Sequence, residues 1–128
     1  MAGVYEIKDW AWTAVSDIDL STQAYRVVAL STAGHAIWPT AAGAFMVGVA
    51  QNKPSTGTET EILSEGITKV AHDGSVTPGA WCVATTAGLA SASTVASYFR
   101  LGMCVDAYSS TNSGELVAVL LTIGAMNT

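Results

Sequence analysis

The sequence predicts an all-β fold: a compact, jelly-roll-like β-sandwich or barrel with an internal two-fold sequence repeat. Three observations predict it. A seventeen-residue segment occurs twice, 54 residues apart. Apolar runs of strand length alternate with turn residues, and strong helix signals are absent. Because each copy has the order strand, turn, strand, polar hairpin and strand, two copies make one all-β domain.

The repeat aligns residues 32–48 with residues 86–102, and eight of the seventeen positions are identical without a gap. The identical pairs are Thr32/Thr86, Ala33/Ala87, Gly34/Gly88, Ala36/Ala90, Thr40/Thr94, Ala42/Ala96, Phe45/Phe99 and Gly48/Gly102. The fixed spacing from turn glycine through aromatic residue to closing glycine is harder to obtain by chance than matches of small residues. We therefore interpret it as a repeat whose copies extend over about 24–66 and 80–124.

Each copy contains three predicted strands. The first, at 26–30 or 82–85, ends in Thr-Ala-Gly, where glycine supplies the positive φ of a tight reversal. The second strands are 45–51 and 99–106, and the third are 59–63 and 115–122, joined to the second by polar loops 52–57 and 109–114. The spacing predicts that Phe45 and Phe99 are equivalent core anchors, whose replacement by alanine would cost about 3–5 kcal/mol each.

Between the copies, turn signals at 65–66, 73–74 and 78–79 enclose a short strand at 67–71. Such closely spaced turns favour a sandwich or barrel over a parallel sheet with helices. The one helical candidate is a weak turn within 91–97, where Ala, Ser and Thr predominate.

Residues 1–23 are predicted to form an N-terminal arm ahead of a single β domain at 24–128. The arm carries Tyr5, Trp10 and Trp12, and the two tryptophans have the spacing of side chains on one strand face. These rings either cap one end of the β core or dock on another subunit, where Trp and Tyr are common anchors. The candidate residues for an interface with other protein chains are Tyr5, Trp10, Trp12 and Trp38.

The composition favours contact with other protein chains. The chain is 50% hydrophobic and only 12% charged, whereas soluble domains average about 25% charged residues. No apolar stretch approaches the roughly 18 residues of a membrane span, and the N-terminus does not resemble a signal peptide. Five scattered basic residues and a net charge of −5 argue against nucleic acid as a partner. The apolar surplus is therefore expected to cover surface that is buried between protein chains.

Cys82 and Cys104 fall in apolar strands, and we expect buried, reduced thiols that pack as small hydrophobes. With no export signal, this indicates a reducing cytoplasmic origin.

The sequence predicts no catalytic, cofactor-binding or metal-binding residue, and hence no enzyme. His35 and His72 are expected on surface loops in unrelated settings, and Glu59 and Glu61 on a solvated strand face. None of the phosphate-loop, nucleophile-elbow or zinc-protease motifs occurs.

Together these patterns resemble the small β-domain decoration, or cement, proteins of tailed bacteriophage capsids. The resemblance covers about 24–122 and rests on the Thr-Ala-Gly turns, on Val47–Gln51, on the turn at Val76–Gly79 and on the closing strand Gly114–Leu120. It implies a non-enzymatic virion protein, made in the host bacterial cytoplasm, that binds the outer surface of an assembled icosahedral capsid and stabilises it. The implied partners are the major capsid protein and further copies of the chain, in a homo-oligomer expected to be a trimer.

Two alternatives come from other classes of protein. A carbohydrate- or receptor-binding β module of a phage tail or spike would place Trp38, Tyr108, Asp106 and Asn112 in one groove. A hydrolase assembled from distant residues would place His35 or His72 beside a carboxylate and a hydroxyl.

Overall fold

The computed structural model describes residues 11–106 and 112–124, which form ten strands in two five-stranded antiparallel sheets. In chain order the strands are β1 Ala11–Val15, β2 Val27–Leu30, β3 Ala36–Ile37, β4 Gly48–Ala50, β5 Glu59–Leu63, β6 Gly66–Ala71, β7 Trp81–Ala84, β8 Ala90–Ala92, β9 Gly102–Cys104 and β10 Leu116–Leu121. The predicted all-β class is confirmed, and the arrangement is that of a β-sandwich.

Each sheet uses one uninterrupted stretch of chain. The order is β1-β5-β4-β2-β3 in the first sheet and β6-β10-β9-β7-β8 in the second. Counted within each sheet, the strand order is the same, with the first strand at one edge and the third at the other. Each strand of one sheet thus has a positional counterpart in the other, while the sequence repeat itself stays a prediction.

The two Thr-Ala-Gly segments form tight turns. Gly34 has φ +80° and donates its N–H to the carbonyl of Ser31 at 2.9 Å. Gly88 has φ +73° and donates to the carbonyl of Thr85 at 3.0 Å. The positive φ explains why glycine stands at both positions, because a side chain is strained there.

Apolar side chains fill two regions on opposite faces of the first sheet. The central core lies between the sheets and consists of Val27, Met46, Val49, Val70, Val76, Cys82, Ala84, Ala90, Leu101, Cys104, Val117, Val119 and Leu121. The outer cluster consists of Ala14, Leu20, Val28, Ala36, Ala50 and Ile62, with Trp12, Ile18, Trp38 and Val47 packed against it. Because side chains alternate along a strand, neighbours such as Val49 and Ala50 enter different regions.

Backbone hydrogen bonds join the two halves. Val27 N donates to Gly88 O at 2.8 Å, and Gly43 N donates to Ala84 O at 2.9 Å. Gly43 O in turn accepts from Phe99 N at 2.9 Å. These bonds fix the position of one sheet against the other in addition to the apolar packing of the central core.

The prediction that Phe45 and Phe99 are equivalent core anchors is wrong, because Phe99 packs against the central core whereas Phe45 is largely exposed. Their rings meet edge to face at a centroid distance of 5.4 Å, but Phe45 is 51% exposed and Phe99 only half-buried. The second strands of the two copies begin at Gly48 and Gly102, three residues after each ring. The phenylalanines therefore lie in the segments that lead into the strands, and the buried side chain there is Met46.

One further segment differs from expectation, and the described part of the predicted N-terminal arm belongs to the first sheet. The weak helical turn predicted in 91–97 is absent: Ala90–Ala92 is a strand paired with β7, followed by irregular backbone and a turn. The segment predicted as an N-terminal arm contributes edge strand β1, which pairs along its whole length with β5, and the fully buried side chain of Leu20. Pairing with a neighbouring strand outweighs weak local propensity in the first case.

Candidate interaction surface

The outer face of the second sheet carries a row of apolar side chains across four neighbouring strands. Ile67 on β6 stands opposite Leu120 on β10, Leu120 opposite Met103 on β9, and Met103 opposite Trp81 on β7. We call Ile67, Leu120, Met103 and Trp81 the outer row. At about 4.8 Å between strands, the row is roughly 15 Å long.

The outer row lies open. Ile67 is 63% exposed and Leu120 40% exposed, and Met103 and Trp81 are half-buried. Leu116 and Val105, both also exposed, extend the apolar surface along β10 and beyond the end of β9. Exposed apolar patches of this kind are typical of protein–protein interfaces.

Two basic side chains flank the outer row. The Arg100 guanidinium stacks on the Trp81 ring, with Cζ 3.9 Å from the ring centroid. Lys69 lies two residues from Ile67 on the same exposed face of β6, with its Nζ 5.9 Å from the centroid of the Tyr25 ring. The face therefore combines an apolar centre with a positive border.

The counterpart strand in the first sheet is more polar. The residues of β5 that face the same way as Leu63 are Glu59 and Glu61, both exposed. The corresponding residues of β10, which face the same way as Leu120, are Leu116 and Ala118. Carboxylates thus stand where the first sheet meets water, and apolar groups stand at the matching positions of the second sheet.

Of the four predicted interface residues, Trp12 and Trp38 are described, and Tyr5 and Trp10 lie outside the described residues. Trp12 is half-buried against the outer cluster, and its Nε1 donates to Ser64 Oγ at 2.8 Å. Trp38, also half-buried, packs against the same cluster and reaches the second half of the chain, where its ring lies against Gly88. The structure thus brings these two tryptophans to one side of the first sheet.

The described residues of the predicted carbohydrate-binding groove do not support such a groove. Trp38 is held between the outer cluster and the turn at Gly88. Asp106 accepts a hydrogen bond from Ala118 N at 3.0 Å, and Asn112 donates to Glu115 Oε2 at 3.0 Å. Tyr108 lies outside the described residues. The side chains of Asp106 and Asn112 thus form hydrogen bonds within the chain.

The histidines occupy different environments. His35 is on a loop as predicted, with Nδ1 2.8 Å from Asp17 Oδ1. The prediction of a surface position for His72 is wrong: its side chain is fully buried after β6, and Gly74 N donates to its Nδ1 at 3.2 Å. Its backbone pairs with Ala90, and this bridge explains the burial of a residue next to an Asp-Gly turn.

Both cysteines are free and buried in the central core, on neighbouring strands β7 and β9. Burial, followed by repulsion from Cys104, raises the pKa of the Cys82 thiol to about 12. Within residues 11–106 and 112–124, no three His, Cys, Asp or Glu side chains come close enough to hold a metal ion.

Sequence reasoning missed the outer row, although one signal was present. The strand Leu116-Val-Ala-Val-Leu-Leu121 is apolar on both faces, whereas a strand with one face in water alternates apolar and polar residues. An apolar outer face on β10 predicts that something covers it.

The described part of the chain offers no helix with the length and apolar character that a membrane crossing requires. No protein-family model matches the sequence. No curated protein matches it either. Among solved structures, the chain is similar to the N base of the head fibre protein gp8.5 of bacteriophage phi29, with a TM-score of 0.69 and 19% sequence identity over 88% of this chain and 92% of that chain. The chain therefore shares its fold with the base of a phage head fibre protein.

Proposed function

We propose that this protein is a non-enzymatic structural component of a bacteriophage virion, which binds the outer surface of the assembled capsid as a homo-oligomer and stabilises it. The observation that carries the proposal is the fold shared with the N base of a phage head fibre protein, along almost the whole of both chains. The similarity in sequence patterns to capsid decoration proteins points to the same class of role.

The surface chemistry supports a role in protein assembly. An exposed apolar face on the second sheet and a chain with 12% charged residues suit contacts with other protein surfaces. The net charge of −5 is unfavourable for binding the packaged genome. The partners proposed are accordingly the major capsid protein and further copies of the chain.

Stabilisation follows from mass action. A protein that binds the assembled shell but not its free subunits shifts the equilibrium toward the shell by its binding free energy at each site. Because each oligomer engages the shell through several copies, modest individual contacts add up through effective concentration.

We further propose that the segment before β1 attaches the protein to the shell, through Tyr5 and Trp10. Aromatic rings are frequent anchors of interfaces, and each contributes about 2 kcal/mol or more. Because β1 belongs to the first sheet, the deletion that tests attachment has to end at residue 10. A deletion of residues 2–10 should abolish binding, whereas a deletion into β1 would also damage the sheet.

The experiment is co-sedimentation with undecorated capsid shells, followed by electron microscopy of the particles. The full chain should add regular density at positions related by the shell symmetry and raise the temperature at which shells rupture. The double variant Tyr5→Ala/Trp10→Ala should bind at least tenfold more weakly, with Val95→Ala, at an exposed apolar site outside the attachment segment, as a matched control. If the full chain adds no density to any shell, the capsid role fails. If the full chain binds and the double variant binds equally well, Tyr5 and Trp10 do not attach the protein to the shell.

A further inference from the structure

We propose that the outer row of the second sheet docks on a second copy of this chain, against the side chains that overlie the outer cluster of that copy's first sheet, so that copies associate head to tail. The inference rests on the self-association proposed above and deepens it by naming the two surfaces.

The chain itself shows how such a row is covered. In the first sheet, Ala11, Leu63, Val49 and Val27 stand opposite one another on β1, β5, β4 and β2. These are the positional counterparts of Ile67, Leu120, Met103 and Trp81 in the second sheet. The first row is covered, with Val27 and Val49 fully buried in the central core, whereas the second row lies open.

The surface that covers the first row is the inner face of the second sheet, including Val119, Cys104 and Cys82. By strand and register, the counterparts of these residues in the first sheet are Ile62, Ala50 and Val28, which belong to the outer cluster. One chain therefore carries an uncovered row on the second sheet and, on the first sheet, the counterpart of the face that receives such a row. Every member of the outer cluster is 7% exposed or less, so a second copy would meet the side chains packed over this cluster and not the cluster itself.

The receiving side offers half-exposed apolar groups at its surface. Trp12, Trp38 and Val47 pack on the outer cluster without being fully buried. Tryptophan is among the residues most enriched at interface centres. These side chains fit the flat apolar row of a second copy.

The charges on the two surfaces are complementary. Lys69 and Arg100 flank the outer row. Asp17 and Asp19 are exposed on the segment that supplies Ile18 and Leu20 to the outer cluster. Opposite charges at the rims orient the two surfaces and raise the association rate.

The two docking surfaces are different patches of the chain, so the contact is heterologous. A heterologous contact closes into a ring when the rotation allows it and otherwise extends as a filament. The trimer expected from the sequence corresponds to a closed ring of three copies.

The test is the solution mass of the free protein at micromolar concentration, measured by sedimentation velocity without any capsid. The wild type should sediment with three times the 13.1 kDa protomer mass. Ile67→Glu and Leu120→Glu should each shift the mass to the protomer, because a buried unpaired carboxylate opposes docking. Val95→Glu, at an exposed apolar site that is not part of the outer row, should keep the wild-type mass. Circular dichroism checks that each variant is folded, and Ile67, at 63% exposed, is the safer of the two sites.

The outcomes separate the ideas. A wild-type monomer overturns both the proposed docking surfaces and the proposed self-association. If Ile67→Glu then also loses binding to the shell, the outer row contacts the capsid protein instead. A wild-type dimer also overturns the proposal, because the expected species is the ring of three copies. A wild-type trimer that persists in both variants leaves self-association standing and overturns the choice of surface. Trimers that dissociate only in the two outer-row variants support the proposal.

Discussion

Alanine at Gly48 or Gly102 should destabilise the fold through a clash between neighbouring strands. These are the closing glycines of the two copies, and they begin β4 and β9. A Cβ at Gly102 would lie 2.0 Å from the carbonyl oxygen of Leu120, and a Cβ at Gly48 would lie 2.4 Å from that of Leu63. Carbon and oxygen in contact are about 3.3 Å apart, so each site lacks roughly 1 Å of space.

The obstructing atoms determine the magnitude. A flexible side chain could turn away, but a backbone carbonyl of the paired strand moves only with its strand. Overpacking in well-packed regions costs about 1–3 kcal/mol, and we expect about 3 kcal/mol for Gly102→Ala and about 2 kcal/mol for Gly48→Ala. For a chain of 128 residues, the first corresponds to a melting temperature lower by roughly 10 °C.

The assay is equilibrium unfolding in urea at one fixed protein concentration, because association shifts apparent stability. Gly34→Ala is the control: its Cβ would meet nothing within 4 Å, although φ is +80°, so it measures backbone strain alone, about 1 kcal/mol. The expected order of destabilisation is Gly102→Ala, then Gly48→Ala, then Gly34→Ala. If both strand variants are as stable as the wild type, the close approach of these strands is not what requires glycine.

The remaining predictions concern titrating groups. Because Cys82 and Cys104 are buried and the pKa of Cys82 is raised to about 12, a thiol reagent at about pH 8 should label neither cysteine in the native protein and both in urea; labelling of the native protein at the unfolded rate would contradict this. Burial raises the pKa of Asp73, but hydrogen bonds from Ser75 and Ser91 outweigh it and hold this pKa below 3.8. A lowered carboxyl pKa stabilises the fold above the unfolded pKa, and this contribution is lost as the pH falls through the folded value. Ser75→Ala removes a donor at 2.6 Å from Asp73 Oδ1 and an acceptor at 3.0 Å from Ala92 N. It should therefore lower the melting temperature more at about pH 6 than at a pH low enough to protonate Asp73. An equal loss at both pH values would show that the Ser75 hydroxyl acts through another contact.

The fold could be predicted from the sequence because its signals are local. Thr-Ala-Gly at two places fixes two turns, and both glycines have the positive φ that the pattern requires. Alternating burial along Glu59–Leu63 likewise follows from its alternating sequence. The cysteines, in apolar strands, are buried as expected.

The side on which a given residue lies could not be predicted, because that depends on packing between sheets. Phe45 precedes its strand and stands half in water, whereas Met46 beside it is fully buried. His72 is buried because its backbone pairs with Ala90, eighteen positions away. The exposure of Ile67 and Leu120 follows from the second sheet being covered on one face only, which no local pattern specifies.

Because each sheet uses one continuous stretch of chain, the two sheets can form one after the other during synthesis. Residues 11–63 leave the ribosome before residues 66–121, so the first sheet can pair its strands while the second is still missing. During that interval Val27, Val49 and Leu63 have no partner sheet, and the nascent chain presents an apolar face to the cytosol. The two residues between β5 and β6 leave little slack, so the second sheet is delivered directly beside that face as it emerges. The nascent protein therefore stays exposed to aggregation until the strands that complete the second sheet have been synthesised.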